Sequence, residues 1–341
     1  MSGVVAPAFV TLNPSVTLPE ILLPYSQASG AFQTLPGGDL MTRLGEGDLA
    51  AYINRADIRT KMAAGQMAYN ELPSVTIVLS MIQTPTYLMR VRASWDHHDA
   101  AAMARRGMAI DRAQRLGMRQ GHFQLTRGAL LQGFNPANGE GLMNTAGATV
   151  VNLPPDSGGA TTVATYDNGE MALFLLGQML AMKTRTNQLG RGRKFTFLGP
   201  QRTLGQLDYN IVQLTSYQRP GAGTHSTAGV VEAVAMENGD EVTWAYDDTL
   251  IGKGAGGTDA VLLVMPEIEN PQPDTTWNTN EFANIEPGLM ANTLQLCDMV
   301  APRELTAPLP AGAVDVVSEM RITSGWGLRG EAVEIISMQP M

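Results

Sequence analysis

The chain has 341 residues, enough to bury a sizeable core in one to three domains, and its formal net charge is −9. The negative charge argues against the whole chain binding a polyanion, and the single cysteine, Cys297, excludes an internal disulfide and a cysteine-rich metal site. Charged residues make up 16% of the sequence, well below the roughly 25% of ordinary globular domains. So few charges imply that much of the surface is neutral. Either neighbouring subunits cover that surface, or the protein is a monomer with many surface Thr, Asn and Gln residues.

Nothing in the sequence predicts a membrane segment or a secretory leader. No window approaches 18 uninterrupted apolar residues, and the start MSGVVAPAFVTLNP lacks a basic region followed by a long apolar core. We therefore expect a protein that is made and used in a reducing cytoplasm.

The first part of the chain predicts extended structure. Residues 1–35 are proline-rich without a helical period, so they predict an arm that lies on a partner. Residues 36–75 fit either a long hairpin or a short helix plus a loop. Residues 74–95 are rich in β-branched and aromatic side chains and predict two strands around Thr84-Pro85.

Two helices follow, and the second is the longest predicted element. Asp96 is suited to cap a short helix, and Asp111 to cap a helix over 112–132. Three glycines in the longer helix each cost about 1 kcal/mol relative to alanine, which fits either a second backbone that passes close by or a flexible helix. The apolar positions that share one face, at spacings of seven, are Leu116, Phe123 and Leu130, and the glycines roughly opposite are Gly117, Gly121 and Gly128.

A basic stripe lies beside that apolar face. Its members are Arg112, Arg115, Arg119 and His122. Residues 100–133 contain six arginines and one acid, a local reversal in a chain of net charge −9. The stripe fits either a surface that faces a polyanion or arginines that pair with carboxylates of neighbouring elements or subunits.

The helix runs into a turn-rich stretch, LLQGFNPANGEGLMNTAG, at residues 130–147. No set of acids, bases or metal ligands converges there, and Glu140 is its only ionisable side chain. We expect Gly133 to be the helix C-cap and the phrase Gly141, Leu142, Met143, Asn144 to form a packed turn.

The second half of the chain mixes helices and strands. It predicts a strong helix over 168–189, a buried strand at 194–200 and a short helix from residue 200 through 207. Residues 208–265 predict short strands and turns, residues 266–312 predict loops, and the tail predicts one or two strands. The fold class is therefore α+β with long excursions, and not a doubly wound sheet.

Candidate catalytic or metal sites are weak. The densest polar cluster is the segment 96–99, but its adjacent histidines point about 100° apart on a helix and do not bind one metal together. Asp247-Asp248 has no matching histidine or third acid. The basic segment 190–194 fits either a contact with nucleic acid or a solvated turn between a helix and a strand. Residues 252–257 lack the residue order of a phosphate-binding loop. We expect no cofactor and no metal.

The order of these elements resembles a known family. An arm, a β-rich excursion, a long helix, and the phrase G-x-x-x-x-x-x-x-G-L-x-N from Gly133 to Asn144 precede a second helix and the unit KFTFLGPQRTLGQL. This order resembles the major capsid proteins of tailed bacteriophages with the Hong Kong 97-type fold. It is most similar to the subgroup with a GLxN phrase after the spine helix, over most of residues 40–341.

The resemblance implies an α+β capsid fold with four parts. They are an N-terminal arm (1–35), an E-loop that lies on a neighbour (36–80), a peripheral domain (81–200 and 300–341) with 112–132 as its spine helix, and an axial domain (201–299).

The resemblance also implies a function. Pentamers and hexamers of the chain would build an icosahedral shell, without enzyme activity, around the double-stranded DNA of a phage. The protein would belong to the virion and assemble in the host cytoplasm. The spine-helix side of such shells faces the lumen, so Arg112, Arg115, Arg119 and His122 would face DNA.

Further partners are implied in the same way. The lack of a long scaffolding segment before the arm implies a separate scaffold. The resemblance also implies a portal and no membrane, and it leaves open whether a decoration protein is a partner. Some members crosslink covalently through an E-loop lysine. Lys61 lies near the matching place, but no local feature supports that chemistry.

Two other hypotheses stay open at this point. A bacterial encapsulin would form a small closed shell with a cargo-docking pocket under its N-terminal region. A hydrolase using Asp96, His97 and His98 would depend on a metal and form a small oligomer. Electron microscopy of the purified protein separates the three.

Overall fold

The computed structural model describes residues 41–59, 76–105, 109–166, 169–186, 188, 190–213, 224–268, 293–298 and 302–340. The predicted arm over 1–35 and Lys61 lie outside the described residues.

Strands and helices alternate irregularly along the described chain. The strands are β1 (Met41–Arg43), β2 (Ala50–Arg59), β3 (Thr76–Trp95), β4 (Thr149–Asn152), β5 (Lys194–Gly199), β6 (Ile211–Gln213), β7 (Thr224–Ser226), β8 (Glu241–Tyr246), β9 (Asp259–Val264), β10 (Leu294–Asp298), β11 (Arg303–Pro308), β12 (Val314–Thr323), β13 (Trp326–Gly327) and β14 (Val333–Met338). The helices are α1 (His97–Arg105), α2 (Ile110–Leu131), α3 (Glu170–Arg185), α4 (Gln201–Leu204), α5 (Gln206–Tyr209) and α6 (Thr227–Glu237). Among the described residues, no helix combines the length and the apolar composition that crossing a membrane requires.

A long strand organises the larger sheet, whose seven described strands follow the pairing order β1-β10-β12-β3-β2, with β11 on β12 and β13 on β10. The half of β3 that precedes Thr86 pairs antiparallel with β2, as the hairpin alternative predicts, and residues 60–75 between the two strands lie outside the described residues. The half from Thr86 onward pairs with β12. The prediction of two strands around Thr84-Pro85 is wrong, because Pro85 falls where the two ladders end and its missing N–H interrupts neither.

The second sheet has five described strands in the order β4-β14-β9-β5-β8. Its central strands β14 and β9 are buried along their whole length, because the sheet is covered on both faces. Phe195 and Phe197 face the layer of α3 and α6. Leu198 and Leu262 face the opposite way, towards the end of α2.

The predicted domain boundaries at residues 200 and 300 cross these sheets. β8 and β9, from the predicted axial range, pair with β5 and β14 from the predicted peripheral range. β10 of the axial range pairs with β12 in the larger sheet. The chain passes between the two sheets several times, so contiguous ranges do not separate them.

The helix α6 corrects the prediction of strands and turns over 208–265. Ser226 caps it, accepting a hydrogen bond from the Gly229 N–H at 3.1 Å. The β-branched Val230, Val231 and Val234 favour a strand by local propensity, but packing on the sheet overrides that preference.

Several smaller predictions also need correction. The helix predicted over 168–189 spans Glu170–Arg185, and the short helix after Pro200 is two helices, α4 and α5, around Gly205. The loop predicted over 266–312 contains β10 and β11, and the tail carries three strands. The buried strand predicted at 194–200 is confirmed as β5.

A buried carboxylate joins β9 to the neighbouring turn and helix. Asp259 is fully buried and accepts hydrogen bonds from Arg202 Nε at 2.7 Å, Thr203 Oγ1 at 2.6 Å and the Gly252 N–H at 3.0 Å. Burial by itself would raise the pKa of Asp259, but these donors outweigh it and hold the pKa below its usual range.

We predict that Asp259→Asn lowers the free energy of unfolding by about 1–3 kcal/mol at neutral pH, because buried donors lose a charged acceptor. The wild-type advantage should be full above about pH 4, the usual pKa of an aspartate in the unfolded chain, and should be lost as the pH falls from there through the lower pKa of Asp259 in the folded protein. Urea unfolding at several pH values measures both effects. The exposed Asp208→Asn serves as the control. Equal stability of wild type and Asp259→Asn at pH 7 would contradict this account.

Candidate functional site

The end of the long helix α2 is the best-defined feature that the sequence singled out. α2 starts two residues earlier than predicted, with Ala109 at its N-cap position, and Asp111 lies in the first turn. Gln132 occupies the C-cap position at the other end. Gly133 follows with a φ of 74°, and its N–H donates to the Gly128 carbonyl at 3.1 Å. The prediction that Gly133 is the C-cap is therefore off by one residue: Gln132 is the cap, and the left-handed Gly133 lies at the position after it.

Backbone packs directly on backbone after that residue. A Cβ atom on Gly133 would lie 2.3 Å from the Glu140 carbonyl oxygen, and one on Gly141 would lie 2.3 Å from the Gln132 carbonyl carbon. The Gly141 N–H donates to the Gly325 carbonyl at 2.5 Å, and the Gly325 N–H donates to the Ala129 carbonyl at 3.0 Å. The helix end, the turn after it and the connection from β12 to β13 thus touch through their main chains.

Two side chains of the GLMN phrase complete this contact. The Asn144 side-chain amide donates to the carbonyls of Gln132 and Glu140, both at 2.8 Å, and so satisfies an acceptor at the helix end. Leu142 is fully buried in the core between the two sheets. We call residues 133–144 together with Gly325 the helix-end clasp.

Glu140 belongs to the clasp in a role that sequence reasoning missed. Its side chain is 2% exposed. One carboxylate oxygen accepts a hydrogen bond from the Tyr87 hydroxyl at 2.8 Å, and the other accepts from the Asn135 N–H at 2.9 Å and the Ser324 hydroxyl at 2.7 Å. Tyr87 and Ser324 are distant in the chain, so no local pattern could reveal this network.

The network explains the perturbed titration of Tyr87. Burial, the hydrogen bond to Glu140 and the negative charge of Glu140 together raise the pKa of Tyr87 to about 12. Both oxygens of Glu140 are engaged inside the protein, so the carboxylate acts as a structural acceptor.

The basic stripe on α2 divides into parts with different surroundings. Arg112 and Arg119 are exposed. Arg115 pairs with Asp111 and Glu304, both at 2.9 Å, which fits the alternative that the arginines bind neighbouring carboxylates. His122 is 6% exposed, with Nε2 3.0 Å from the Ser318 hydroxyl, and burial lowers its pKa. His122 therefore lies outside the exposed stripe.

α2 covers one face of the larger sheet. Ser318, the partner of His122, lies opposite Val91 in the β12–β3 ladder, so both point towards α2. The neighbouring pair, Glu319 and Arg90, points to the other face and forms an ion pair at 3.2 Å. The exposed arginines of α2 and the ion-paired arginine of β3 thus lie on opposite sides of this sheet.

The prediction that another backbone passes close to the α2 glycines is wrong for the described residues. A Cβ atom on Gly117, Gly121 or Gly128 would meet no atom within 4 Å. The predicted apolar face is only partly covered: Leu130 is fully buried, whereas Leu116 is 48% exposed.

The β2–β3 hairpin exposes apolar side chains on both strands. Tyr52 is 59% exposed, Leu79 76% and Met81 69%. A two-stranded ribbon is marginally stable alone, and a contiguous apolar surface usually marks an interaction site. The hairpin therefore has the character of a docking element.

The polar cluster at 96–99 is a helix cap. The Asp99 N–H donates to Asp96 Oδ1 at 2.7 Å, which lowers the pKa of Asp96. The exposed rings of His97 and His98 lie 3.9 Å apart. Within the described ranges, His, Cys, Asp and Glu side chains nowhere gather in the groups of three or more that could hold a metal ion.

Comparison with known proteins identifies the fold. No model of a known protein family matches the sequence, and no curated protein matches it. The capsid of Myoviridae phage XM1 is 10% identical, with a TM-score of 0.69 over 95% of this chain and 96% of that one. The capsid of an empty GTA particle is 11% identical, with a TM-score of 0.56 over 96% and 95%. The capsid of cyanophage P-SCSP1u is 12% identical, with a TM-score of 0.54 over 97% and 94%. The chain has the α+β capsid fold over nearly its whole length.

We predict that Gly141→Ala destabilises the fold by more than about 3 kcal/mol, because the new methyl group would overlap the Gln132 backbone at a φ of 87°. Gly117→Ala is the matched control in α2, where the methyl group meets open space, and should stabilise the helix by about 1 kcal/mol. Chemical unfolding of both variants measures the difference. Equal, small effects would show that the clasp does not constrain the fold.

Proposed function

We propose that this chain is the major capsid protein of a tailed bacteriophage and self-assembles into an icosahedral shell around double-stranded DNA. The observation that carries the proposal is the fold. Its α+β arrangement of helix, hairpin and two sheets aligns along nearly the full length of several capsid chains. The low sequence identity leaves the function to be supported by surface chemistry and by experiment.

The surface of the isolated chain supports assembly. Only 16% of the residues are charged, and the β2–β3 hairpin exposes Leu79 and Met81 beyond two thirds of their area. A shell closed by noncovalent contacts needs several extensive interfaces on each chain. The hairpin, as the E-loop, would bury its apolar side chains on a neighbouring subunit.

The sheet topology supports new domain limits within this proposal. The peripheral domain would contain β3, α2, the clasp and β10 to β13, which share the larger sheet and its helix. The axial domain would contain β4 to β9 and β14, with α3 and α6 packed on the smaller sheet. Residues 1–35 remain the proposed N-terminal arm.

The exposed part of the basic stripe suits contact with DNA. Arg112 and Arg119 present guanidinium groups on α2, and phosphate contacts by such groups are independent of sequence. Arg115, already paired with Asp111 and Glu304, would contribute less. We place this surface towards the lumen.

The remaining expectations follow from the same role. The protein would act without enzyme activity or a cofactor, as a component of the virion that assembles in the host cytoplasm. Its partners would be other copies in pentamers and hexamers, a separate scaffold and a portal. Crosslinking through Lys61 has no support from the described residues.

We predict that the purified protein forms closed shells when it is expressed with its scaffold. Negative-stain electron microscopy should show closed heads of uniform size, because a shell closed with one point-group symmetry contains a fixed number of subunits. Small shells filled with protein cargo would favour the encapsulin hypothesis. Discrete small oligomers with metal-dependent hydrolysis would contradict the capsid proposal.

We predict that the double variant Arg112→Gln/Arg119→Gln lowers DNA retention in filled heads and weakens its salt dependence, because two phosphate contacts are removed. Arg90→Gln/Arg92→Gln is the control, with the same change in charge on the opposite face of the sheet, where Arg90 pairs with Glu319 and Arg92, two residues along β3, pairs with Asp315 at 2.7 Å. Released DNA after heating in graded salt measures retention. Equal retention by both variants would rule out the lumen-facing assignment.

A further inference from the structure

The helices α3 and α6 form a layer on one face of the smaller sheet. Their inner sides are buried: Leu175 and Met182 of α3 and Val231 of α6 are fully covered. These side chains pack in one core cluster with Phe195 and Phe197 of β5.

The outer side of α3 is apolar as well. The helix carries no charged residue from Met171 to Met182. Leu173 and Leu180, seven residues apart and on one face, are 72% and 62% exposed. A helix that is apolar all round is normally buried all round, so this face lacks a cover within the described part of the chain.

The outer side of α6 extends the same surface. Gly229, Ala233 and Met236 point away from the sheet at helical spacing, and Met236 is 76% exposed. Glu232 is the single charged residue between Thr227 and Met236, and it accepts a hydrogen bond from the Trp244 Nε1–H at 2.7 Å. We call the outer sides of α3 and α6 the helix-layer face.

The size of this face limits what can cover it. Helices of 16 and 11 residues are about 24 Å and 16 Å long, and packed helices lie about 8–10 Å apart. The face therefore measures about 400 Å², roughly half of the ~800 Å² that each partner contributes to a stable pairwise interface. A partner that contacts only this face would bind weakly. A second copy of the chain that also makes contacts elsewhere would bind stably.

We propose that the helix-layer face is buried against a second copy of this chain within the same shell. The inference rests on the proposed function and adds a contact surface that the hairpin does not supply. This face offers no cluster of positive charge that a polyanion could bind. Gly177 and Gly229 carry no side chain and Ala233 carries one methyl group, so a neighbouring backbone can approach closely. A head-to-tail contact between different surfaces of successive copies closes into a ring, as pentamers and hexamers require.

The test compares assembly of wild type with Leu173→Gln/Leu180→Gln. Both leucines are exposed, so the variant should keep the circular dichroism spectrum and melting temperature of the free chain. Loss of two buried leucines should raise the protein concentration needed for shell assembly at least about tenfold. The matched control, Leu173→Met/Leu180→Met, keeps the face apolar and should assemble like wild type.

A photocrosslinking amino acid at position 180 identifies the occupant directly. Crosslinking in assembled shells should yield a product of twice the chain mass that contains two copies of this chain. A product with the scaffold, or none, would overturn the inference, as would normal assembly of the glutamine variant. If the wild type still forms shells in those cases, only the inference about the helix-layer face is contradicted. If the wild type forms no shell, the proposed capsid function is contradicted as well.

Discussion

The close backbone contact between the end of α2 and the turn that follows it is the constraint on which the rest of the structure depends. Gly133, Gly141 and Gly325 allow three main-chain segments to meet without side chains between them. This contact satisfies two carbonyls at the helix end, that of Ala129 by the Gly325 N–H and that of Gln132 by the Asn144 side-chain amide. The direction of the long helix is therefore fixed relative to the chain on both sides of it.

This constraint also sets how the two sheets meet. Leu142 enters the core next to Leu130 and Leu131, where side chains of both sheets converge. Glu140 is held on one side by Tyr87 of β3 and on the other by Ser324 after β12. A stable inner body of this kind leaves the hairpin and the helix-layer face free to make contacts outside the chain, which suits a subunit of a large assembly.

Sequence reasoning reached the features that depend on local pattern. The α+β class, the long helix, the buried strand at 194–200 and the glycine-rich turn all follow from periodicity and turn chemistry. Sequence reasoning failed where contacts between residues far apart in the chain determine the local structure. Pro85 suggests a break in isolation, but the break disappears because two different strands share β3. The valines of α6 suggest a strand until packing on the sheet is considered. His122 shares helical spacing with the arginines, yet burial against Ser318 removes it from the surface.

A cryo-electron microscopy reconstruction of purified particles tests the central claim most directly. The account predicts a closed icosahedral shell in which each subunit fits the described fold, with the clasp intact and the β2–β3 hairpin covered by a neighbouring chain. Particles that are not shells, or shells in which the hairpin projects freely into solvent, would contradict it.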